Sequence, residues 1–191
     1  MNRRTVALDD QQYTHIIQAL LKGGVGFRAN ERIAAALMVE ANVGIRISDV
    51  LALRLSSIVR DGGRYRLNIT EIKTGKARDF TVPDTVVFFL QDYASRHNLG
   101  RDDLLFPISE RAVQKLLKAV CDYLGYEGIS THSFRKYFAM GLYKDTNCNI
   151  VLVQTALQHS STNVTRRYLG VQQAELEAAL AKRVNLPGFT G

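Results

Sequence analysis

The apolar residues of this chain leave their helical repeat in one place only, and that break limits the folds open to it. In "GGRYRLNITEI", Tyr65, Leu67 and Ile69 alternate with Arg64, Arg66 and Asn68, the period of a half-buried strand. "KTGK" supplies a turn, and "ARDFTVP" reads as the returning strand, closed by Pro83. On both sides the spacing is three to four residues. Asp9 reads as an N-cap ahead of Tyr13, Ile16, Ile17, Leu20 and Leu21, with Gly23-Gly24 as the stop. A second helix is expected from about Asn30 to Gly44, and a third in "RISDVLALRLSS", capped by Ser48. After the strands, helices are expected over 84–97, 109–124, 131–144, 149–158, 162–169 and 172–183. The expected architecture is α+β and mostly α-helical, with a small antiparallel sheet inserted after the third helix.

Composition narrows the class. At 191 residues, 46% hydrophobic and 23% charged, the chain can bury a core and is not a disordered tract. A net charge of +7 favours an anionic partner such as nucleic acid. Cys121 and Cys148 lack metal-ligand spacing and read as free thiols in a reducing compartment. No apolar run reaches membrane-spanning length, and "MNRRTVALDDQQ" lacks the apolar stretch of a signal peptide. The expectation is a cytoplasmic protein with no membrane association.

Polar groups gather in four places. Arg46 and Asp49 flank a helix start, and Lys73 and Lys76 flank the tip "KTGK". In "THSFRKYFAMGLYK", His132, Arg135 and Lys136 crowd a helix opening that is already electropositive, an arrangement suited to an arriving anion. "QHSSTNVTRRYLG" holds His159 and, nine residues later, Tyr168. Singly, each is a common surface arrangement.

In this order they are not. "NVGIRISDVLALRLSSI", "EIKTGKARDFTVP", "THSFRK" and "LQHSSTNVTRRYLG" resemble the signature boxes of tyrosine recombinases, the phage-integrase family. The resemblance runs from "ALDDQQYTHIIQAL" onward and implies that family's catalytic-domain fold, with a three-stranded antiparallel sheet. Gln158 stands where the family usually has glycine.

The resemblance implies Tyr168 as the nucleophile on a DNA phosphodiester, Arg46 and Arg135 gripping the non-bridging oxygens, and Lys73 protonating the departing 5′ oxygen. It gives His132 a part in proton transfer from the tyrosine, His159 a hydrogen bond to the phosphate, and Asp49 a supporting place beside Arg46 or His132. These roles fit the chemistry, because a guanidinium fork matches phosphate oxygens and an alkoxide leaving group needs an acid. Lys76, Lys136, Arg166 and Arg167 are expected to contact the DNA backbone. A 3′-phosphotyrosyl link conserves bond energy, so no metal and no cofactor is expected.

The implied partner is double-stranded DNA, with a homo-tetramer on DNA and a monomer away from it. The implied setting is prokaryotic, phage or mobile-element encoded. The catalytic domain is expected to fill 1–191 without the family's N-terminal clamp domain. The tail over 171–191 is expected to form a helix packed on its own domain or on a neighbouring subunit. Type IB topoisomerase-like relaxation, or a catalytically idle DNA-binding regulator, are the alternatives.

Overall fold

A computed structural model describes residues 5–170 of the chain; the expected helix over 172–183 lies outside them. α1 (Asp10–Lys22) begins at Asp9, whose carboxylate accepts the Gln12 amide in a reciprocal capping box. α2 (Glu31–Val43) starts at Asn30 and is buried on nearly every face, with Ala34, Ala35, Ala36 and Leu37 all solvent-excluded. It is the central element, packed against α1 and α6.

Gly44 ends α2 in the left-handed conformation (φ 67°), and a Cβ there would fall 2.2 Å from the Phe138 ring. Only glycine permits that reversal at that distance. It delivers Arg46 to the start of α3 (Ile47–Leu51). The expected Ser48 cap is therefore displaced: Arg46 is the N-cap, its carbonyl accepting the Asp49 and Val50 amides, both at 2.9 Å. α3 is also shorter than expected. The Leu53 carbonyl accepts the Leu105 amide and the Ser56 amide donates to Arg101, so tertiary pairing draws the chain out of the helix. A single 3-10 turn (Leu55–Ser57) follows.

The sheet is a three-stranded antiparallel meander of β1 (Ile58–Asp61), β2 (Arg64–Thr70) and β3 (Ala77–Val82), in the order β1-β2-β3. The register pairs Asp61 with Arg64, and Tyr65 with Val82. Leu67 and Val82 point into the core, as the alternation predicts. α4 (Asp84–Arg96), α5 (Glu110–Leu124) and α6 (Thr131–Asp145) complete the main body. α7 (Ile150–Leu157) and α8 (Thr162–Leu169) share a second, smaller core with the C-terminal half of α6, made of Ala139, Tyr143, Val153 and Leu157. No helix among the described residues is long and apolar enough to cross a membrane.

Candidate active site

The site is assembled where β3, α3 and α6 meet the C-terminus of α7. The last carbonyls of a helix lack intrahelical donors and carry partial negative charge. Here two buried guanidiniums supply the donors: Arg78 Nη2 donates to the Ala156 carbonyl, and Arg135 Nη2 to the Leu157 carbonyl at 2.9 Å. Arg78 reaches this point because it shares the inward face of β3 with Phe80 and Val82. Glu71, 1% exposed, bridges the cluster, accepting Arg46 Nη1 at 2.6 Å on one oxygen and Arg78 Nη1 at 3.0 Å on the other. Burial alone raises a carboxyl pKa; the Thr74 hydroxyl and the two guanidiniums outweigh it and hold Glu71 below the usual range.

Arg135 is 2% exposed, and its Nη1 has no hydrogen-bond partner among the described residues. Burial, with the like charge of Arg46, lowers it to about 10, so it stays a cation at neutral pH. Gln158 caps α7 in the left-handed conformation, φ 52°, and donates from Nε2 to the Ala77 carbonyl of β3 at 3.3 Å. That turn presents His159, whose Nδ1 lies 3.0 Å from Thr165 Oγ1. Burial, then Arg135 and Arg46, drive His159 down to about 4, and it is neutral at physiological pH.

The Tyr168 ring meets His159 edge to face, centroids 5.2 Å apart. Its hydroxyl is buried without a formed hydrogen bond, although Arg135 lies close enough to favour the phenolate. Desolvation prevails and pushes the phenol far above its ordinary value, so Tyr168 is protonated. Arg135 and Arg46 favour the phenolate, but burial is the larger effect. His132 stands at the rim, lowered by partial desolvation first and then by the charges of Arg135 and Lys73. Glu40, wholly buried behind Arg135, is raised well above the ordinary carboxyl range because burial outweighs the attraction of Arg135.

The profile of the phage integrase family matches residues 7–175. The chain belongs to the phage integrase family. It is 29% identical over 157 residues to the probable integrase/recombinase YoeC of Bacillus subtilis, covering 78% of this chain and 83% of that one. It is 27% identical over 144 residues to the tyrosine recombinase XerH of Campylobacter jejuni, 71% of this chain but 40% of the relative. The fold is similar to the XerH recombinase bound to palindromic difH substrate in a post-cleavage complex, with a TM-score of 0.69 and 22% identity over 94% of this chain and 54% of that one. It is also similar to the catalytic domain of bacteriophage HP1 integrase, with a TM-score of 0.64 and 18% identity over 94% and 96% of the two chains. The described residues thus have a tyrosine-recombinase catalytic-domain fold, in a family of enzymes that break and rejoin DNA.

Within this phage-integrase fold, Arg46, Arg135, His159 and Tyr168 come together, and His132 is near enough to feel the charges of Arg135, Lys73 and Arg46. Among the described residues Asp49 makes no hydrogen bond to Arg46 or His132; its carboxylate accepts the Ile72 amide at 2.8 Å and so anchors the root of the turn that carries Lys73. Arg46 is held instead by Glu71. Lys76, Arg166 and Arg167 have exposed side chains, whereas Lys136 turns inward to the Thr5 carbonyl and the Tyr168 ring. Glu71 and Arg78 were missed by sequence reasoning. The available signal for Arg78 was a lone cation on the apolar face of a strand.

Proposed function

We propose that this chain is a site-specific DNA recombinase of the integrase, excisionase or invertase kind, cutting and rejoining double-stranded DNA through a 3′-phosphotyrosyl intermediate. The observation that carries this reading is the juxtaposition of two buried groups, Tyr168 Oη and Arg135 Nη1, that have no formed hydrogen bond among the described residues and lie close to one another beside Arg46. Three arginines (Arg46, Arg78, Arg135) converge here and Glu71 pairs with only two of them, so the Arg135 guanidinium is left to meet a phosphodiester.

In the proposed step Tyr168 Oη attacks phosphorus and the P–O5′ bond breaks. The tyrosine proton passes to the neutral imidazole of His132, and Lys73 gives a proton to the departing 5′ oxygen. Arg46 and Arg135 hold the non-bridging oxygens. If Thr165 donates to His159 Nδ1, the imidazole proton sits on Nε2, where it can donate to the phosphate. Attack by the free 5′ hydroxyl of a partner strand reverses the step, so no external energy source is consumed. Assembly as a tetramer on DNA belongs to the same proposal, and the matching Xer relatives, about half of whose length this chain spans, support a DNA partner.

The test is a pool of nicked suicide duplexes of randomised sequence. The expected result is a protein–DNA adduct that survives denaturation and forms in excess chelator, and that is lost in Tyr168→Phe while DNA binding persists. An adduct undiminished in Tyr168→Phe would overturn the assignment. Sequences enriched in the adduct then serve in a two-site recombination assay set against supercoil relaxation.

A further inference from the structure

Lys136 follows Arg135 on α6, and its ammonium has the Thr5 carbonyl and the Tyr168 ring among its contacts. On one side Nζ donates to the Thr5 carbonyl at 2.6 Å; on the other it stands 5.2 Å from the centroid of the Tyr168 ring. The segment carrying Thr5 is itself fixed to the loop before α6. The Val6 amide donates to the Gly128 carbonyl, and Thr5 Oγ1 lies within reach of Ser130 Oγ, both at 3.4 Å. We propose that Lys136 is a positioning residue for the nucleophile, a cation held by the N-terminal segment against the face of Tyr168 so that the phenol hydroxyl stays turned toward Arg135.

The physical grounds are independent of DNA contact. A half-buried ammonium bonded to a carbonyl has a fixed place, and a cation within about 6 Å of a ring centroid is attracted by the ring's quadrupole. Tyr168 lies on a helix of eight residues whose only fully buried side chain is Thr165, so its orientation depends on the contacts its ring makes. Besides the small core of Ala139, Tyr143, Val153 and Leu157, these include His159 at the edge and Lys136 over the face. The same cation favours the developing phenolate without touching the reacting oxygen. The N-terminal segment, α6 and the nucleophile are thereby coupled through one side chain.

This inference rests on Tyr168 being the nucleophile, and the two fail differently: an adduct persisting in Tyr168→Phe removes that assignment, whereas this one is read from Lys136 variants while Tyr168→Phe stays dead. Single-turnover adduct formation is measured at saturating suicide duplex, beside affinity for the same duplex across a salt series. Lys136→Met is expected to slow adduct formation about 5- to 30-fold, the range of one cation–π contact, with affinity and salt slope unchanged. Lys136→Arg, which keeps a cation over the ring, is expected to restore most of the rate. If affinity falls and the salt slope drops by about one while the saturated rate holds, Lys136 is a phosphate contact instead. A wild-type rate in Lys136→Met, or an Arg variant as slow as Met, also overturns the proposal. Should Lys136→Met fail to fold, Lys136→Gln, which keeps a donor for the Thr5 carbonyl, carries the same comparison.

Discussion

Glu71 ties Arg46 to Arg78, and the end of α7 ties Arg78 to Arg135, against the main core, whereas Lys73 and Tyr168 hang from lighter supports. Lys73 lies on the exposed turn between β2 and β3, anchored at its root by the Ile72–Asp49 bond. Tyr168 packs on a core of four buried side chains, Ala139, Tyr143, Val153 and Leu157. The difference assigns separate physical tasks. Charge stabilisation works best from dipoles and cations fixed and desolvated beforehand. Groups that must meet a bond, exchange protons and withdraw are better carried on elements with little burial, which open at low cost.

The largest expected effect lies on the lighter side. With Lys73 as general acid, Lys73→Ala should slow cleavage by about 10²–10⁴-fold on ordinary DNA. A 5′-bridging phosphorothiolate, whose sulfur leaves without protonation, should recover most of that loss. Arg46→Ala should show no such recovery, because its task is on other oxygens. If sulfur rescues Lys76→Ala and leaves Lys73→Ala inactive, the two lysines of the turn have been assigned backwards.

On the fixed side, the effect should appear first in stability. Removing Glu71 leaves Arg78 buried without its carboxylate, so Glu71→Ala should cost about 3–5 kcal/mol in denaturant unfolding. The sign with pH follows from its lowered pKa. Stability from ionised Glu71 is full above the ordinary carboxyl range, and it is lost as pH falls through the depressed folded value. The gap between wild type and Glu71→Gln should therefore narrow on acidification below about pH 4. Buried Glu40, raised rather than lowered, adds the opposite trend, losing stability as pH rises above the ordinary carboxyl range. A gap independent of pH would mean that Glu71 contributes packing and not charge.

A smaller loss is expected from exchanging fork for point charge. Arg46→Lys and Arg135→Lys should each cost about 2–4 kcal/mol in the transition state, measured as single-turnover cleavage. The deeper effect should be at Arg135, whose other nitrogen also holds the Leu157 carbonyl. Wild-type cleavage by either variant would remove that residue from the cradle.

These two regions were not equally readable. Arg46, His132, Arg135, His159 and Tyr168 sit in ordered boxes along the chain, and the resemblance of those boxes to the recombinase family singled them out. Glu71 and Arg78 depend on β3 meeting the end of α7, a tertiary event that local pattern does not encode, although the alternation with Phe80 and Val82 already put Arg78 on a buried face. The third strand was expected from the resemblance, but β1 was not located in the chain, because four residues, three of them exposed, leave too short an alternation to register. α3 was over-extended because its later apolar residues pair with the 101–105 segment, a partner far off in sequence.

Gln158 joins the two regions, and its replacement should have the smallest effect. It adopts φ 52°, which costs a non-glycine residue about 1–2 kcal/mol, and its Oε1 is buried without a partner. Gln158→Gly relieves both, but it frees the unfolded chain by about 0.5–1 kcal/mol and gives up the long bond to the Ala77 carbonyl. These terms nearly cancel, so unfolding free energy should shift by less than about 1 kcal/mol, in the stabilising direction. His159 is placed by the left-handed turn, which glycine keeps, so the saturated adduct rate should stay near that of wild type. A loss beyond about tenfold (about 1.4 kcal/mol) with stability intact would show that the tether from α7 to β3, and not the turn itself, sets His159. The fixed cradle and the nucleophile's support would then be one mechanical unit, and the division between them would be wrong.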